Sequence, residues 1–384
     1  MTTGLSKTFT NFFNAEKWSG ILLILCTVIA LLLSNSSVGP AYLDFWRHEF
    51  AGLTLEHWVN DGLMAVFFLF VGLELEREMY NGELANFNSA LLPIIAAVGG
   101  ICVPALIHYS LNAGTAAQPG AGIPMATDIA FALGVLALLG DRIPASLKIF
   151  LTALAVIDDL GAIIVIAVLY TAKVSLPYLF AALGIFILLL TCNTIFRITR
   201  LAPYLLGGAL LWFCMLKSGV HATIAGVLLA FAIPFSAKTD DAASPSHRLE
   251  HFLQKPVAFA ILPIFALANT GIIIDAGGWQ KELFSSNGLG IIGGLVMGKP
   301  LGISLFCLIG IACGICRLPG DLRWQHILGA GFLGGIGFTM SIFITNLAFA
   351  GNAEIINSSK MAILLASFVA GLLGALWLAF FSRK

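Results

Sequence analysis

An all-α polytopic membrane protein is the fold class this sequence predicts, and three observations predict it. Of 384 residues 59% are hydrophobic and only 10% charged, so the chain cannot build a water-facing shell around a soluble core. Its apolar runs recur from end to end, most of them near the ~20 residues a helix needs to cross ~30 Å of hydrocarbon. The few charges inside those runs are isolated, and the net charge of zero points to neither nucleic acid nor an acidic surface as partner.

Hydropathy places about twelve transmembrane helices, at roughly 19–35, 57–75, 90–111, 120–140, 149–172, 176–196, 201–216, 219–235, 256–275, 287–316, 324–349 and 358–381. The chain reads as a single integral membrane domain, 1–384, embedded in a lipid bilayer. Phe9, Phe12, Phe13 and Trp18 form an interfacial lead-in to the first helix. That helix ends at Ser34-Asn35-Ser36-Ser37 without a convincing small-residue cleavage site, so it is expected to be a retained span rather than a signal peptide. The aromatic stretch Ala41 to Phe50 and the Leu53-Thr54-Leu55 that follows Gly52 suggest an extracytoplasmic hairpin over 41–56. Its edge would pair two copies, which favours a homodimer, or fold back as a cap on its own chain.

The seventh and eighth helices are parted only by Lys217-Ser218-Gly219 and can be read as one long helix, which would invert everything after them. Loop charge decides the matter. With twelve helices, fourteen Lys and Arg, from Lys7 and Lys17 through Arg142, Lys148 and Lys238 to Arg383 and Lys384, gather on one side. Only Arg47, Lys173, Lys217, Lys281 and Lys360 fall on the other, so both termini are expected in the cytoplasm. The largest cytoplasmic loop, Ser236 to Lys255, carries Asp240, Asp241, His247, Arg248, Glu250 and His251. All seven cysteines lie in or at the ends of apolar runs, where they pack as small soft side chains; Cys313 and Cys316 spell C-x-x-C but lack the aqueous access that redox or metal chemistry needs.

Two helices carry interruptions. The fourth opens with Pro119-Gly-Ala-Gly-Ile-Pro124 before Thr127-Asp128, and the eleventh carries Gly329, Gly331, Gly334, Gly335 and Gly337 before Phe338-Thr339. Each is the middle member of a three-helix group, 90–172 and 287–381, and the two groups run in opposite senses across the membrane. Interrupted segments at matching places in an inverted repeat mark a transporter's binding site. The plainer alternative is that the glycines only let helices approach closely.

Asp158 and Asp159 stand together in the middle of an apolar run between Lys148 and Lys173; Asp128 and Lys299 interrupt two others. Each such charge costs about 2.5–3.5 kcal/mol in lipid, so the four must meet inside the protein. Neighbouring helical residues point ~100° apart, so the adjacent aspartates have different jobs. One lines an ion cavity with Asp128, the other pairs with Lys299, and helix geometry leaves open which is which. Carboxylate and hydroxyl oxygens suit a hard alkali cation, with no thiolate or imidazole cluster for a soft metal. Protons and the cation then compete for the same oxygens, and that competition is an exchange mechanism.

The runs Trp58-Val-Asn-Asp61-Gly-Leu-Met-Ala-Val-Phe-Phe-Leu-Phe-Val-Gly72-Leu-Glu74, Ala126-Thr-Asp128-Ile-Ala-Phe-Ala-Leu-Gly134, Val156-Ile-Asp158-Asp159-Leu-Gly161-Ala, Ser218-Gly-Val-His221-Ala-Thr and Gly298-Lys299-Pro300-Leu-Gly resemble those of bacterial NhaA sodium/proton antiporters, over nearly the whole chain. The resemblance implies that Asp159 and Asp128 bind Na+ or Li+ with Thr127 nearby, that Asp158 partners Lys299, and that protons are exchanged on the same carboxylates. It also implies two broken helices crossing near the midplane, with Asp128 compensating their positive ends and Lys299 their negative ends. No cofactor is implied beyond the transported ions. Glu74, Arg77, Glu78, Glu250 and His251 match the family's pH-sensing region, although residues at cytoplasmic helix ends also form ordinary solvated ion pairs. Gln254, one helical turn past Glu250, cannot titrate. Asn60-Asp61 either caps a helix or lines the outward path, and His221 reads as an interfacial histidine.

The function expected is a pH-regulated exchange of cytoplasmic Na+ or Li+ for external H+, and not an enzymatic reaction. A sodium-coupled organic anion carrier is the nearer rival, but no arginine lies at membrane depth to clamp a carboxylate. An intramembrane aspartyl protease is the further one; it needs two convergent carboxylates, whereas here a lysine is available to neutralise one.

Overall fold

The computed structural model describes residues 7–171, 174–236, 244–274 and 278–382. Lys173, Lys238, Asp240, Asp241, Arg383 and Lys384 lie outside the described residues, as do the side chains of Lys7, Phe9, Phe12, Phe13 and Lys17. Within them the chain is an all-α polytopic membrane protein. The apolar runs become helices because only internal hydrogen bonding satisfies a backbone in lipid.

In chain order, α1 (Lys7–Ser34) meets α2 (Gly39–Arg47) at 113°. Strands β1 (Glu49–Phe50) and β2 (Leu53–Thr54) then pair antiparallel, Glu49 opposite Thr54 and Phe50 opposite Leu53. Ala51 and Gly52, both at positive φ (53° and 81°), make the two-residue turn whose twist suits a hairpin. There follow α3 (Leu55–Asn81), α4 (Phe87–Asn112), a 3-10 segment Gln118–Met125, α5 (Ile129–Leu138) and α6 (Ala145–Leu169). Next come α7 (Leu176–Thr194), α8 (Leu201–Ser218), α9 (Ile224–Ala232) and α10 (Pro245–Thr270). The chain closes with α11 (Trp279–Leu283), α12 (Ser286–Ala312), α13 (Trp324–Gly334), α14 (Phe338–Ala348) and α15 (Ala353–Phe381).

Among the described residues nine helical spans are long and apolar enough to cross a bilayer, and the bent pairs α1–α2 and α13–α14 raise this to eleven. The eighth expected segment, 219–235, differs from its prediction: its helix, α9, is nine residues long. At 1.5 Å per residue that is about 14 Å of helix, under half a bilayer core. Gly219, at φ 83°, ends α8 in a left-handed turn, so α8 and α9 are separate elements and not one long helix.

Two compact units emerge. The first comprises residues 1–43, 87–162 and 269–384; the second comprises 44–86 and 163–268. In the first unit α4 packs along α12, α1 along α5, and α13 and α14 along α15. The α4–α12 crossing brings backbone onto backbone: a Cβ on Gly99 would strike the carbonyl of Gly302, and one on Gly302 the carbonyl of Gly99. In the second unit α3 packs on α9 and α7 on α8, with Ala182, Leu211, Met215 and Ala225 forming a buried cluster.

Gly302→Ala should therefore destabilise by about 1–3 kcal/mol, the cost of overpacking where only backbone can yield. Gly320→Ala, which meets nothing within 4 Å, should be neutral. Thermal unfolding in detergent compares the two, and equal midpoints would refute the tight crossing.

Candidate cation site

The fourth apolar segment cannot run as one helix. Pro119 and Pro124 each lack a donor, the backbone turns extended at Ala126 (ψ 146°) and Asp128 (ψ 99°), and α5 starts only at Ile129. Asp128 is the N-cap of α5, its Oδ1 accepting from the Phe131 amide at 3.0 Å. The eleventh segment stops at Gly334 and resumes at Phe338 with its axis turned 47°. The two interruptions meet: the Asp128 amide donates to the Ile336 carbonyl at 2.7 Å. Oδ2 of Asp128 accepts from the Thr339 amide at 3.1 Å and the Thr339 hydroxyl at 2.5 Å. One buried carboxylate thus caps the N-terminal ends of α5 and α14, where unpaired amides and helix dipoles favour negative charge.

The opposite charge sits beside it. Asp158 on α6 and Lys299 on α12 are both 0% exposed. Lys299 Nζ donates to Asp158 Oδ2 and, at 2.9 Å, to the Thr127 hydroxyl. That hydroxyl lies 2.7 Å from Asp158 Oδ2 and 2.8 Å from the carbonyl of Gly334, the last residue of α13. A threonine has one proton, so it donates to the carboxylate or to the helix end while accepting from the lysine. Lys299 and Thr127 stand at a carbonyl-rich helix terminus, Asp128 at two amide-rich ones. Asp158 Oδ1 is buried without a hydrogen-bond partner. Asp159, 2% exposed, is buried one residue further along α6.

The structure therefore brings Asp158, Lys299 and Thr127 together, and ties them to Asp128 through adjacent residues on both interrupted segments. Which aspartate faces the lysine was open from helix geometry; the contact is with Asp158. Thr339 stands in the sequence only as the residue that follows the glycine run and Phe338; its contact with Asp128, 211 positions away, gives it a place in the site that no local signal marks.

A second polar cluster lies in the other unit. Arg77 holds Glu250 at 2.7 Å, Glu78 at 3.0 Å and Glu74 at 3.6 Å. His251 is exposed; the imidazole beside Glu250 is that of His247, at 3.7 Å. Its spacing three residues before Glu250 on a helix was the missed signal. Glu76, also unpredicted, accepts from the Ser246 hydroxyl at 3.3 Å. Asp61 pairs with His57 at 3.2 Å, and the His221 ring meets the Tyr170 carbonyl at 2.8 Å.

Removing one partner of a fully buried pair strands the other. Lys299→Ala should cost on the order of 3 kcal/mol, and adding Asp158→Asn should recover part of it. A double-mutant cycle on thermal unfolding in detergent measures the coupling; strictly additive losses would exclude it.

Comparison with known proteins places this chain in a family. The chain matches the family described as Na+/H+ antiporter 1 over residues 10–378. It is 74% identical over 382 residues to the Na(+)/H(+) antiporter NhaA of Dechloromonas aromatica, covering 100% of this chain and 98% of that one. Against the Na(+)/H(+) antiporter NhaA of Cytophaga hutchinsonii the identity is 57% over 374 residues, 97% and 95% of the two chains. Against that of Helicobacter acinonychis it is 44% over 430 residues, 99% and 97%. Likeness of this degree along the whole length admits one assignment: the chain belongs to the Na+/H+ antiporter 1 family.

Proposed function

We propose that this protein exchanges cytoplasmic Na+ or Li+ for external H+ across a bacterial inner membrane, in sodium and pH homeostasis. The observation that carries the reading is the buried Asp158–Lys299–Thr127 cluster joined to Asp128 where two interrupted helices meet. Buried carboxylates held in an apolar interior point to a cation or a proton that reaches them. Family membership supports the same chemistry.

In this reading Asp159 is the principal exchanging ligand. Asp128 already accepts three hydrogen bonds, so its share is the standing negative charge that makes the site attractive to a cation, with its remaining lone pair as ligand. Lys299 keeps Asp158 neutralised; a proton arriving at Asp158 frees the lysine, and departure of that proton restores the pair. Cation arrival expels protons and protonation expels the cation, so alternating access of one site to the two sides gives exchange without nucleotide or cofactor.

The finer architecture belongs to the same proposal. Twelve spans, with 219–235 as the eighth, put both termini in the cytoplasm, and what supports this is the loop charge asymmetry. Groups 90–172 and 287–381 form an inverted repeat whose interrupted members cross near the midplane. The hairpin expected over 41–56 is confined to Glu49–Thr54, residues up to Arg47 being helical in α2, and this shorter hairpin faces the outside and offers the edge for a homodimer. Glu74, Arg77, Glu78 and Glu250 adjust the pH response, together with His247 or His251.

Asp159→Asn and Asp128→Asn should abolish Na+-driven proton flux in proteoliposomes without impairing insertion, while Asp158→Asn should be milder. Wild-type flux in Asp159→Asn at saturating sodium and alkaline pH would sink the assignment.

Competition between protons and sodium also makes activity rise with pH. Apparent sodium affinity should fall by up to about tenfold per pH unit for each competing proton, and saturating sodium should restore much of the rate at mildly acid pH. His247→Ala should move the midpoint more than His251→Ala, since of the two it is His247 that reaches Glu250. A maximal rate that collapses at acid pH with unchanged affinity would refute competition.

A further inference from the structure

Helix α14 begins beside Asp128 and cannot cap itself. Its N-cap residue is Gly337, which has no side-chain oxygen, and the place a Cβ would take is occupied. It would fall 2.1 Å from the Ser341 hydroxyl, which is itself held by the Ile123 carbonyl at 2.7 Å. The first amides of a helix have no partner within it, so those of α14 need acceptors from elsewhere. Thr339 gives its amide to Asp128 Oδ2 at 3.1 Å. Phe338 gives its amide, also at 3.1 Å, to the Ser367 hydroxyl on α15. A backbone amide only donates, so the serine oxygen is the acceptor in this bond.

Ser367 is 3% exposed and is the one hydroxyl-bearing residue between Met361 and Phe381. What it holds bears on the carboxylate. The Phe338 ring packs edge-on against that of Phe131, with centroids 5.6 Å apart and planes at 60°. Phe131 donates its amide to Asp128 Oδ1 at 3.0 Å, while Thr339, next to Phe338 in the chain, donates amide and hydroxyl to Oδ2. Each oxygen of Asp128 is therefore held by a residue that touches or adjoins Phe338, and Phe338 is tied to a third helix through its amide.

We propose that Ser367 is a positioning residue for the cation site: by holding the first amide of α14 it sets where Phe131 and Thr339 present their donors to Asp128, and so how the carboxylate faces a cation. The proposal rests on the antiporter reading, in which Asp128 is a ligand. Ser367 acts only through Phe338. Removing its hydroxyl frees the start of α14 to shift, and the donors on Asp128 shift with it. Cation affinity should then fall, while every charged residue that carries exchange is still present. A serine that merely stabilises α14 predicts the opposite split, a loss of stability with affinity intact.

The test compares Ser367→Ala with Ser359→Ala in the full-length protein. Ser359 lies about two turns earlier on the same helix, and its buried hydroxyl likewise accepts one hydrogen bond, from Asn287. The two variants thus match in kind but not in place. Sodium affinity is read from Na+-driven proton flux in proteoliposomes, and again from the rise of the unfolding midpoint with Na+ in detergent, which needs no transport. Expected for Ser367→Ala is an affinity about two- to tenfold weaker in both readings, the range that one hydrogen bond spans. Its maximal rate at saturating sodium should match wild type. Ser367→Cys, which keeps a weak acceptor in place, should fall between the two, and Ser359→Ala should leave affinity unchanged. Unchanged affinity in Ser367→Ala, or an equal loss in Ser359→Ala, overturns the proposal. A wild type without Na+-driven flux would instead refute the antiporter reading, and the midpoint titration would still decide the role of Ser367.

Discussion

A lysine and a carboxylate, each with no exposed surface, can persist in so apolar a molecule only because each has the other, and the rest of the first unit follows from that need. Desolvation costs several kcal/mol per ion and is offset only when geometry is good and further hydrogen bonds are made. Asp158 and Lys299 meet this condition through Thr127, which is itself placed by the interruption of the fourth segment. The interruption in turn leaves amides without partners at the start of α5, and Asp128 satisfies one of them. The same carboxylate reaches into the second interruption at Thr339. Charge and irregular backbone therefore require each other: neither is tolerable in an apolar interior alone.

Much of this was legible in the residues. Membrane class and most spans followed from hydropathy, because a helix in lipid leaves a long uniform signature. The charged residues at the site stood out for the opposite reason, being expensive and few. What hydropathy could not see was local. The segment 219–235 is apolar enough to span, but Gly219 and the residues after it spend part of that length on a turn. The 3-10 course of Gln118–Met125 depends on partners distant in sequence, since Ser341 donates to the Ile123 carbonyl and Asp128 to that of Ile336. Asp158 and Asp159 are equivalent to any periodicity argument; only the position of α12 tells them apart.

The histidines show the same limit. His251 is named with Glu250 through the family's pH-sensing region, but neighbouring residues on a helix point ~100° apart and His251 is exposed. His247, three residues earlier, shares the face. His108 gave no signal at all: alone in an apolar run, it is a core residue until Asn287 and Ser359 arrive from segments more than 170 positions away.

Lys299 shows how finely the backbone sets such meetings. It follows a π-helical turn, Gly294–Gly298, and its own amide bonds back five residues to Gly294 instead of four. A π turn inserts about one extra residue, shifting everything after it by roughly 100° relative to an unbroken α-helix. Without it, a lysine at this position would point to a neighbouring face of α12 and Asp158 would be left a buried, unpaired charge. Gly294 and Gly298 admit the wider turn because both press on Pro104 or Pro124 with no side chain of their own. The ion pair is thus specified by two glycines and a helix irregularity as much as by the charged residues that form it.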